Sequence, residues 1–400
     1  MSYLVLGLAR SGRAAALALA RHGDRVVAVD RSPATDAGRL AEAGVEVHLG
    51  TEELTLLEGV DVLIKSPGVP SEAPLVSAAR ERGIPVWSEI ELGGRLLSTP
   101  ILGVTGTNGK TTTTALLGEM LGAPVAGNIG RALTELDDGG RWIVCELSSF
   151  QLEDIHEFRP RIAVLLNLEP DHLDRHGTWE AYRDAKLRVF ENQGPDDVAV
   201  VPRGFGEIPG RARRVEFSAD DALPAEPRIP GAHNRENAAA AVVAAREAGA
   251  GEERIAEALR EFPGVPHRLE EVAEIRGVRY VNDSKATNAA AARRAIASFE
   301  EPLHVILGGL GKNESYDELA ADLRAGGARA YLIGAAAREL ASAIDDHEVS
   351  GDLPTAVRAA AEAAKPGEVV LLSPACASYD QFEDFEQRGD EFRRLVEELR

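Results

Sequence analysis

The chain has 400 residues, 44% of them hydrophobic, enough at about 100–200 residues per domain for two to four domains with cores of their own. Its formal net charge of −21 excludes nucleic acid and anionic membrane surfaces as partners, because those are held by a surplus of Lys and Arg. No run approaches about 18 apolar residues and the opening Met1-Ser2-Tyr3-Leu4 lacks a charged leader, so a soluble cytoplasmic protein is expected.

The first segment reads as strand Tyr3–Leu6, loop 7–12, helix Arg13–Arg21 and strand Arg25–Val29, closed by Asp30. An acidic residue at the end of the second strand of such a βαβ unit matches a dinucleotide fingerprint, although Ala9 stands where the middle glycine would be. A nicotinamide dehydrogenase is therefore one alternative. Strands are further predicted at 44–48, 60–64 and 84–86, with a rigid turn at Ser66-Pro67-Gly68-Val69-Pro70. In an open parallel sheet, ligands gather beyond the carboxyl ends of the strands, which is where loop 7–12, Asp30 and this turn fall.

A second domain opens with the apolar run Pro100-Ile101-Leu102 and then Gly103-Val104-Thr105-Gly106-Thr107-Asn108-Gly109-Lys110-Thr111-Thr112, ahead of a helical run to Leu121. Strand, glycine loop and helix in that order bring backbone N–H groups and a helix N-terminus onto phosphate oxygens, with Lys110 for the outer phosphates and Thr111 for a metal. The spacing is tighter than the common P-loop. Strand 142–145 then ends in Glu146, the position from which a carboxylate holds Mg²⁺ beside a phosphate loop.

Strand 162–166 runs into Asn167-Leu168-Glu169-Pro170-Asp171-His172-Leu173-Asp174-Arg175-His176, a dense group of His and carboxylates. The helix predicted at 178–190 carries Lys186, which taken alone reads as a surface residue. Strands are expected at 198–201 and 214–217. His233, Asn234 and Asn237 stand near the start of a long Ala-rich helix, placed to cap it or to read a base.

Phe262-Pro263-Gly264-Val265-Pro266 marks the next boundary. Beyond it strands (278–281, 303–307, 328–333, 369–372) alternate with helices (288–298, 315–325, 336–344, 353–364, 388–399), a further α/β unit. Cys145 and Cys376 lie far apart in apolar runs and are expected to be buried and unpaired.

Of 44 basic residues only six are Lys: Lys65, Lys110, Lys186, Lys285, Lys312 and Lys365. A chain this rich in Arg keeps Lys for places Arg does not serve, and three of the six (110, 285, 312) sit in turn-rich, ligand-like settings. Lys65 and Lys365, each beside a Pro-Gly pair, read as surface turns.

With these residues in hand the chain resembles the Mur ligases, ATP-dependent amino-acid ligases of peptidoglycan precursor synthesis. The loop 105–111 is typical of the superfamily, folylpolyglutamate synthases included. Three blocks look like the branch that adds D-glutamate to UDP-N-acetylmuramoyl-L-alanine: Glu146-Leu147-Ser148-Ser149-Phe150-Gln151-Leu152, Asn282-Asp283-Ser284-Lys285-Ala286-Thr287-Asn288, and Ser373-Pro374-Ala375-Cys376-Ala377-Ser378-Tyr379-Asp380-Gln381-Phe382. Phe385-Glu386-Gln387-Arg388-Gly389 strengthens the match, and the Asn-Pro-Arg signature of a diaminopimelate- or lysine-adding ligase is absent. Tyr379 departs from the Leu often found there.

The resemblance implies three α/β domains: a Rossmann-like UDP-substrate domain (1–97), a central P-loop-type ATPase domain with a mostly parallel sheet (98–264) and a Rossmann-like amino-acid domain (265–400). It implies that Ser11, Asp30, Arg31, Gly68 and Asn128 hold the UDP-sugar acceptor. ATP would be held by Gly106, Thr107, Asn108, Gly109, Lys110, Thr111 and Thr112, with Asn237, Arg268 and Asp283. Two Mg²⁺ ions would be held by Thr111, Glu146, His172 and a carbamylated Lys186, and D-glutamate by Thr287, Lys312, Ser378 and Phe385. Lys110, His172 and Lys186 would be catalytic, and the enzyme a monomer. Further alternatives are a sister ligase adding L-glutamate or acting on folate, and a nucleotide-switched binding protein.

Overall fold

The computed structural model describes residues 1–229, 231–311 and 315–400, with every side chain among them except that of Asp174. It divides into two compact units, 1–262 and 263–400.

The first unit holds two parallel sheets. In one, β1 (Ser2–Leu6), β2 (Arg25–Asp30), β3 (Glu46–Leu49), β4 (Val62–Lys65) and β5 (Val86–Ser88) run in the order β3-β2-β1-β4-β5. Such a sheet is covered by helices on both faces, so its inner strands are apolar without interruption. Along β1, Tyr3 and Val5 pack into one core layer and Leu4 and Leu6 into the opposite one. In the other sheet, β6 (Ile101–Thr105), β7 (Val125–Gly127), β8 (Ile143–Glu146), β9 (Ile162–Leu165), β10 (Val198–Pro202) and β11 (Arg213–Phe217) take the order β11-β10-β9-β6-β8-β7. At the joint between the sheets Asp138 accepts from the backbone N of Ser98 (2.8 Å) and Thr99 (2.9 Å) and from both hydroxyls, at 2.9 and 3.0 Å.

The second unit is one sheet of order β12-β13-β17-β14-β15-β16, built from β12 (Glu270–Ile275), β13 (Val278–Asn282), β14 (Leu303–Gly308), β15 (Arg329–Ile333), β16 (His347–Gly351) and β17 (Val369–Leu372). Only β12 is antiparallel, joined to β13 through Arg276 and Gly277, both at positive φ (53° and 78°), the geometry of a tight hairpin turn. β7, β12 and β16 are strands beyond those the sequence predicts.

Two lysines are corrected. Lys65 does not lie in a surface turn: it ends an inner strand and is 1% exposed, because Glu153 and Asp154 meet its amine. Lys186 is 2% exposed, because the helix Trp179–Leu187 lays it against the phosphate loop. Lys365 is exposed, and both cysteines are buried, with no disulfide among the described residues, as the sequence suggests.

Candidate active site

The phosphate loop leaves β6 at Thr105 and becomes the helix Lys110–Leu121. Gly109 is required twice over. Its φ of 82° is left-handed, and a Cβ there would lie 2.1 Å from Oδ1 of Asn237, which presses on the loop from the helix Ala232–Glu247. The loop is held from below by residues of the 167–169 turn after β9 and of the helix Trp179–Leu187. Asn167 Oδ1 accepts from Asn108 N at 2.8 Å, Glu169 accepts from Asn108 Nδ2 at 2.9 Å, and Thr107 Oγ1 shares a 2.9 Å hydrogen bond with the Tyr182 hydroxyl.

Two lysines converge on this loop. Lys110 donates to the Gly106 and Thr107 carbonyls, both at 2.9 Å, and Lys186 donates to the same Gly106 carbonyl at 2.7 Å. The Tyr182 ring lies 4.9 Å from the Lys186 amine. Burial, and then the Lys110 charge, pull that amine down to about 6, which favours its neutral form.

Glu146 is 1% exposed, at the end of β8 beside β6. Its Oε1 accepts from Asn128 Nδ2 at 2.7 Å, while its Oε2 is buried with no hydrogen-bond partner among the described residues. A buried carboxylate oxygen left over in this way fits a cation. Among the described residues no three His, Cys, Asp or Glu side chains cluster as a ready-made metal set. Mg²⁺ suits such a place, since it is commonly held by one or two carboxylates together with phosphate oxygens. Thr111 is buried in the first turn of the helix. His172, at φ 51°, is half-exposed with its ring 5.0 Å from that of Phe150.

The residues expected to hold a UDP group meet at the carboxyl ends of β1, β2 and β4. Asp30 ends β2 and accepts from Leu8 N at 2.7 Å and Ser32 N at 2.8 Å, which fixes the loop carrying Ser11. Ser66 donates to the Gly7 carbonyl at 2.6 Å, which ties in the turn with Gly68. Arg31, Gly68 and Asn128 are exposed. Arg10 reaches the carbonyls of Gly127 (3.4 Å) and Asn128 (3.2 Å), joining this edge to the Glu146 corner.

In the second unit the loops after β13 and β17 lie side by side, since those strands are neighbours. Asp283 accepts from Ser373 Oγ (2.8 Å) and Leu269 N (3.2 Å), next to Arg268, and burial pushes its carboxyl up to about 7. Ser284 donates to the carbonyl of Phe385 at 2.8 Å. The fully buried Arg388 ties the two loops together, donating to Ser284 Oγ (3.0 Å), Ser284 O (2.8 Å) and Cys376 O (3.2 Å). Ser378 is buried and Thr287 half-buried in the same loops. Lys312 lies outside the described residues. Asn167 and Arg388 fall in stretches the sequence singles out (167–176 and 385–389) without a role assigned to them, while Tyr182 carries no signal, because nothing in spacing alone marks a Tyr on a helix as a holder of loops.

A glycine loop at a helix N-terminus beside a buried carboxylate, and a βαβ edge with an acidic residue at the end of its second strand, suit a nucleotide-binding enzyme. Family models match almost all of these parts: a Mur ligase MurD-like N-terminal domain over residues 1–88, a Mur ligase middle domain over 104–211, and a Mur ligase glutamate ligase domain over 267–376. The chain is 43% identical to the UDP-N-acetylmuramoylalanine--D-glutamate ligase of Acidobacterium capsulatum, covering 98% of this chain and 95% of that one. It is 45% identical to the enzyme of the same name from Anaeromyxobacter dehalogenans, covering 98% and 97%. Among solved structures, a MurF ligase from Thermotoga maritima in complex with ADP superposes with a TM-score of 0.61 at 18% identity, over 94% of this chain and 96% of that one. The chain belongs to the Mur ligase family, and it is an ATP-dependent amino-acid ligase. Among the described residues no helix is long and apolar enough to cross a membrane.

Proposed function

We propose that the chain joins D-glutamate to UDP-N-acetylmuramoyl-L-alanine, with ATP converted to ADP and phosphate, as a cytoplasmic monomer in peptidoglycan precursor synthesis. The observation that carries this reading is the full-length likeness to ligases of that name, at 43% and 45% identity. The γ-phosphoryl group passes to the alanyl carboxylate, and the amine of D-glutamate attacks the acyl phosphate. Charge builds on phosphoryl oxygens throughout, so electrostatic stabilisation and positioning are the main means of catalysis.

In this reading domains 1–97, 98–264 and 265–400 bind acceptor, ATP and amino acid. Residues 106–112 cradle the phosphates, and Lys110 swings from its carbonyl partners onto the β- and γ-phosphates. Asn237, Arg268 and Asp283 contact the nucleotide. Ser11, Asp30, Arg31 and Gly68 hold the UDP group and Asn128 the sugar-lactyl part, while Thr287, Lys312, Ser378 and Phe385 line the D-glutamate site. Thr111 and Glu146 would hold one Mg²⁺ ion and His172 a second, which would supply neutralisation of phosphate charge. The lowered Lys186 amine is suited to add to CO₂ with loss of a proton, giving a carbamate whose oxygens would suit a hard cation. Phosphate release that requires both the UDP-linked acceptor and an amino acid tests the reading. Run against a panel of D- and L-amino acids, it is expected to respond to D-glutamate; a preference for L-glutamate or for a folate acceptor would overturn it.

A further inference from the structure

The segment that begins at Glu146 in the phosphate-loop corner ends at the first sheet. Its last residue, Glu153, meets four side chains. Its Oε2 accepts from Ser71 Oγ at 3.0 Å and Lys65 Nζ at 3.2 Å and lies 3.6 Å from Arg175 Nη2, while its Oε1 lies 3.4 Å from His176 Nδ1. The Glu153 carbonyl accepts from Arg188, which fixes the backbone beneath it.

Two of these partners bear on the same turn, one by preceding it in the chain and one by hydrogen-bonding it. Lys65 is the residue from which turn 66–70 leaves β4. Arg175, its guanidinium 4.7 Å from the centre of the Phe150 ring, donates to the carbonyls of Pro67 (3.2 Å) and Val69 (2.9 Å), on either side of Gly68. The contacts are to backbone, so they fix the path of the turn whatever its side chains. A buried ion pair of this kind adds little over apolar residues replacing all of its members, but removing the Lys65 amine alone would strand two carboxylates, so the pair holds geometry.

We propose that Glu153 is a positioning residue for the acceptor: through Lys65 and Arg175 it sets the turn carrying Gly68 against the phosphate-loop domain, and so registers the acceptor's diphosphate end relative to the phosphoryl group transferred. This rests on the reading of that turn as part of the UDP site.

The test uses the full-length enzyme, UDP-N-acetylmuramoyl-L-alanine, ATP and D-glutamate. Glu153→Gln, which keeps the shape and removes the charge, is expected to raise the acceptor KM about tenfold, with kcat and the KM values for ATP and D-glutamate within about twofold. Calorimetry without ATP is expected to show the same loss in acceptor affinity. The effects of Lys65→Met and Glu153→Gln on acceptor KM are expected to be less than additive, as for two parts of one clamp. Should Glu153→Gln not fold, Arg175→Lys, which keeps the charge but loses the fork on the two carbonyls, carries the test with the same expected split. An unchanged acceptor KM, or a fall in kcat or thermal stability with all KM values equal, would mean a staple only and overturns the inference. A wild-type enzyme that releases no phosphate with this acceptor would instead sink the functional reading beneath it.

Discussion

Lys65 and Lys186 are almost equally hidden from solvent, at 1% and 2% exposure, yet their surroundings are opposite. Lys65 sits among two carboxylates, at 2.8 and 3.2 Å, and the Ser71 hydroxyl at 3.2 Å. Lys186 meets a backbone carbonyl, an aromatic ring and the field of a second lysine, and its amine is pulled down to about 6. Burial by itself therefore says nothing about the job of an amine. Matched charges at hydrogen-bond distance make it a fixed strut, and without them the amine's pKa is lowered.

The largest effect that separates the two is on turnover. Lys186→Ala and Lys186→Arg are both expected to lose at least about a thousandfold in kcat, whereas Lys65→Met keeps kcat at saturating acceptor within about threefold. Steady-state phosphate release measures both. Formate or acetate is expected to restore part of the Lys186→Ala activity; wild-type-like turnover in that variant would erase the distinction. Lys110→Arg is expected to be as damaging as Lys186→Ala, since a planar guanidinium does not fit the glycine-lined cradle where the compact ammonium sits.

Stability should rank the two lysines the other way. Removing Lys65 leaves Glu153 and Asp154 short of a partner and is expected to lower the unfolding free energy by about 3 kcal/mol in urea titrations. Lys186→Met removes no ion pair and is expected to cost nothing at pH 6. Equal losses would show that Lys186 too is a strut.

Glu89 extends the comparison to a carboxyl group. It is buried, accepts from Thr134 N at 2.6 Å, has no hydrogen-bond partner for Oε2 among the described residues, and burial pushes it up to about 7. A raised acid pKa stabilises the fold below the ordinary carboxyl range, and that contribution is lost as pH rises through about 7. Glu89→Gln is therefore expected to gain on the wild type between about pH 4 and pH 7, by at most roughly 3 kcal/mol, with thermal or urea unfolding across that range as the measurement. A constant difference across the range would count against it. Smallest of all is Tyr379→Leu: that side chain is 70% exposed, so stability is expected to move by no more than about 0.5 kcal/mol, leaving any change to the D-glutamate KM.

The phosphate loop is legible in the sequence because its chemistry is local: glycines, a lysine and hydroxyls between an apolar run and a helical one admit few other uses. Glu146 is legible for the same reason, as a carboxylate ending a buried strand. Their surroundings are not. That Lys186 lies on the Gly106 carbonyl, or that Asn237 presses on Gly109, depends on helices far along the chain, and an isolated lysine on a helix carries no sign of what covers it. β12 escapes a sequence reading because its hairpin turn places Arg276, not Asn or Gly, at a positive φ of 53°. Nothing in the sequence marks Glu153 until the fold brings Lys65 and Arg175 to it. The roles of the substrate-binding residues come from the family resemblance, which spacing alone would not supply.

The four hydrogen bonds that Asp138 accepts from Ser98 and Thr99 bear on how the chain yields to a protease. By position, the stretch joining the first sheet to the second is where a linker would be cut. A protease needs a substrate strand peeled free of its own partners, and here both amides and both hydroxyls are already engaged. Brief digestion of the native enzyme is thus expected to spare the bond between Ser98 and Thr99, and Asp138→Ala to open it, so that a nick at this place would report the loss of one carboxylate.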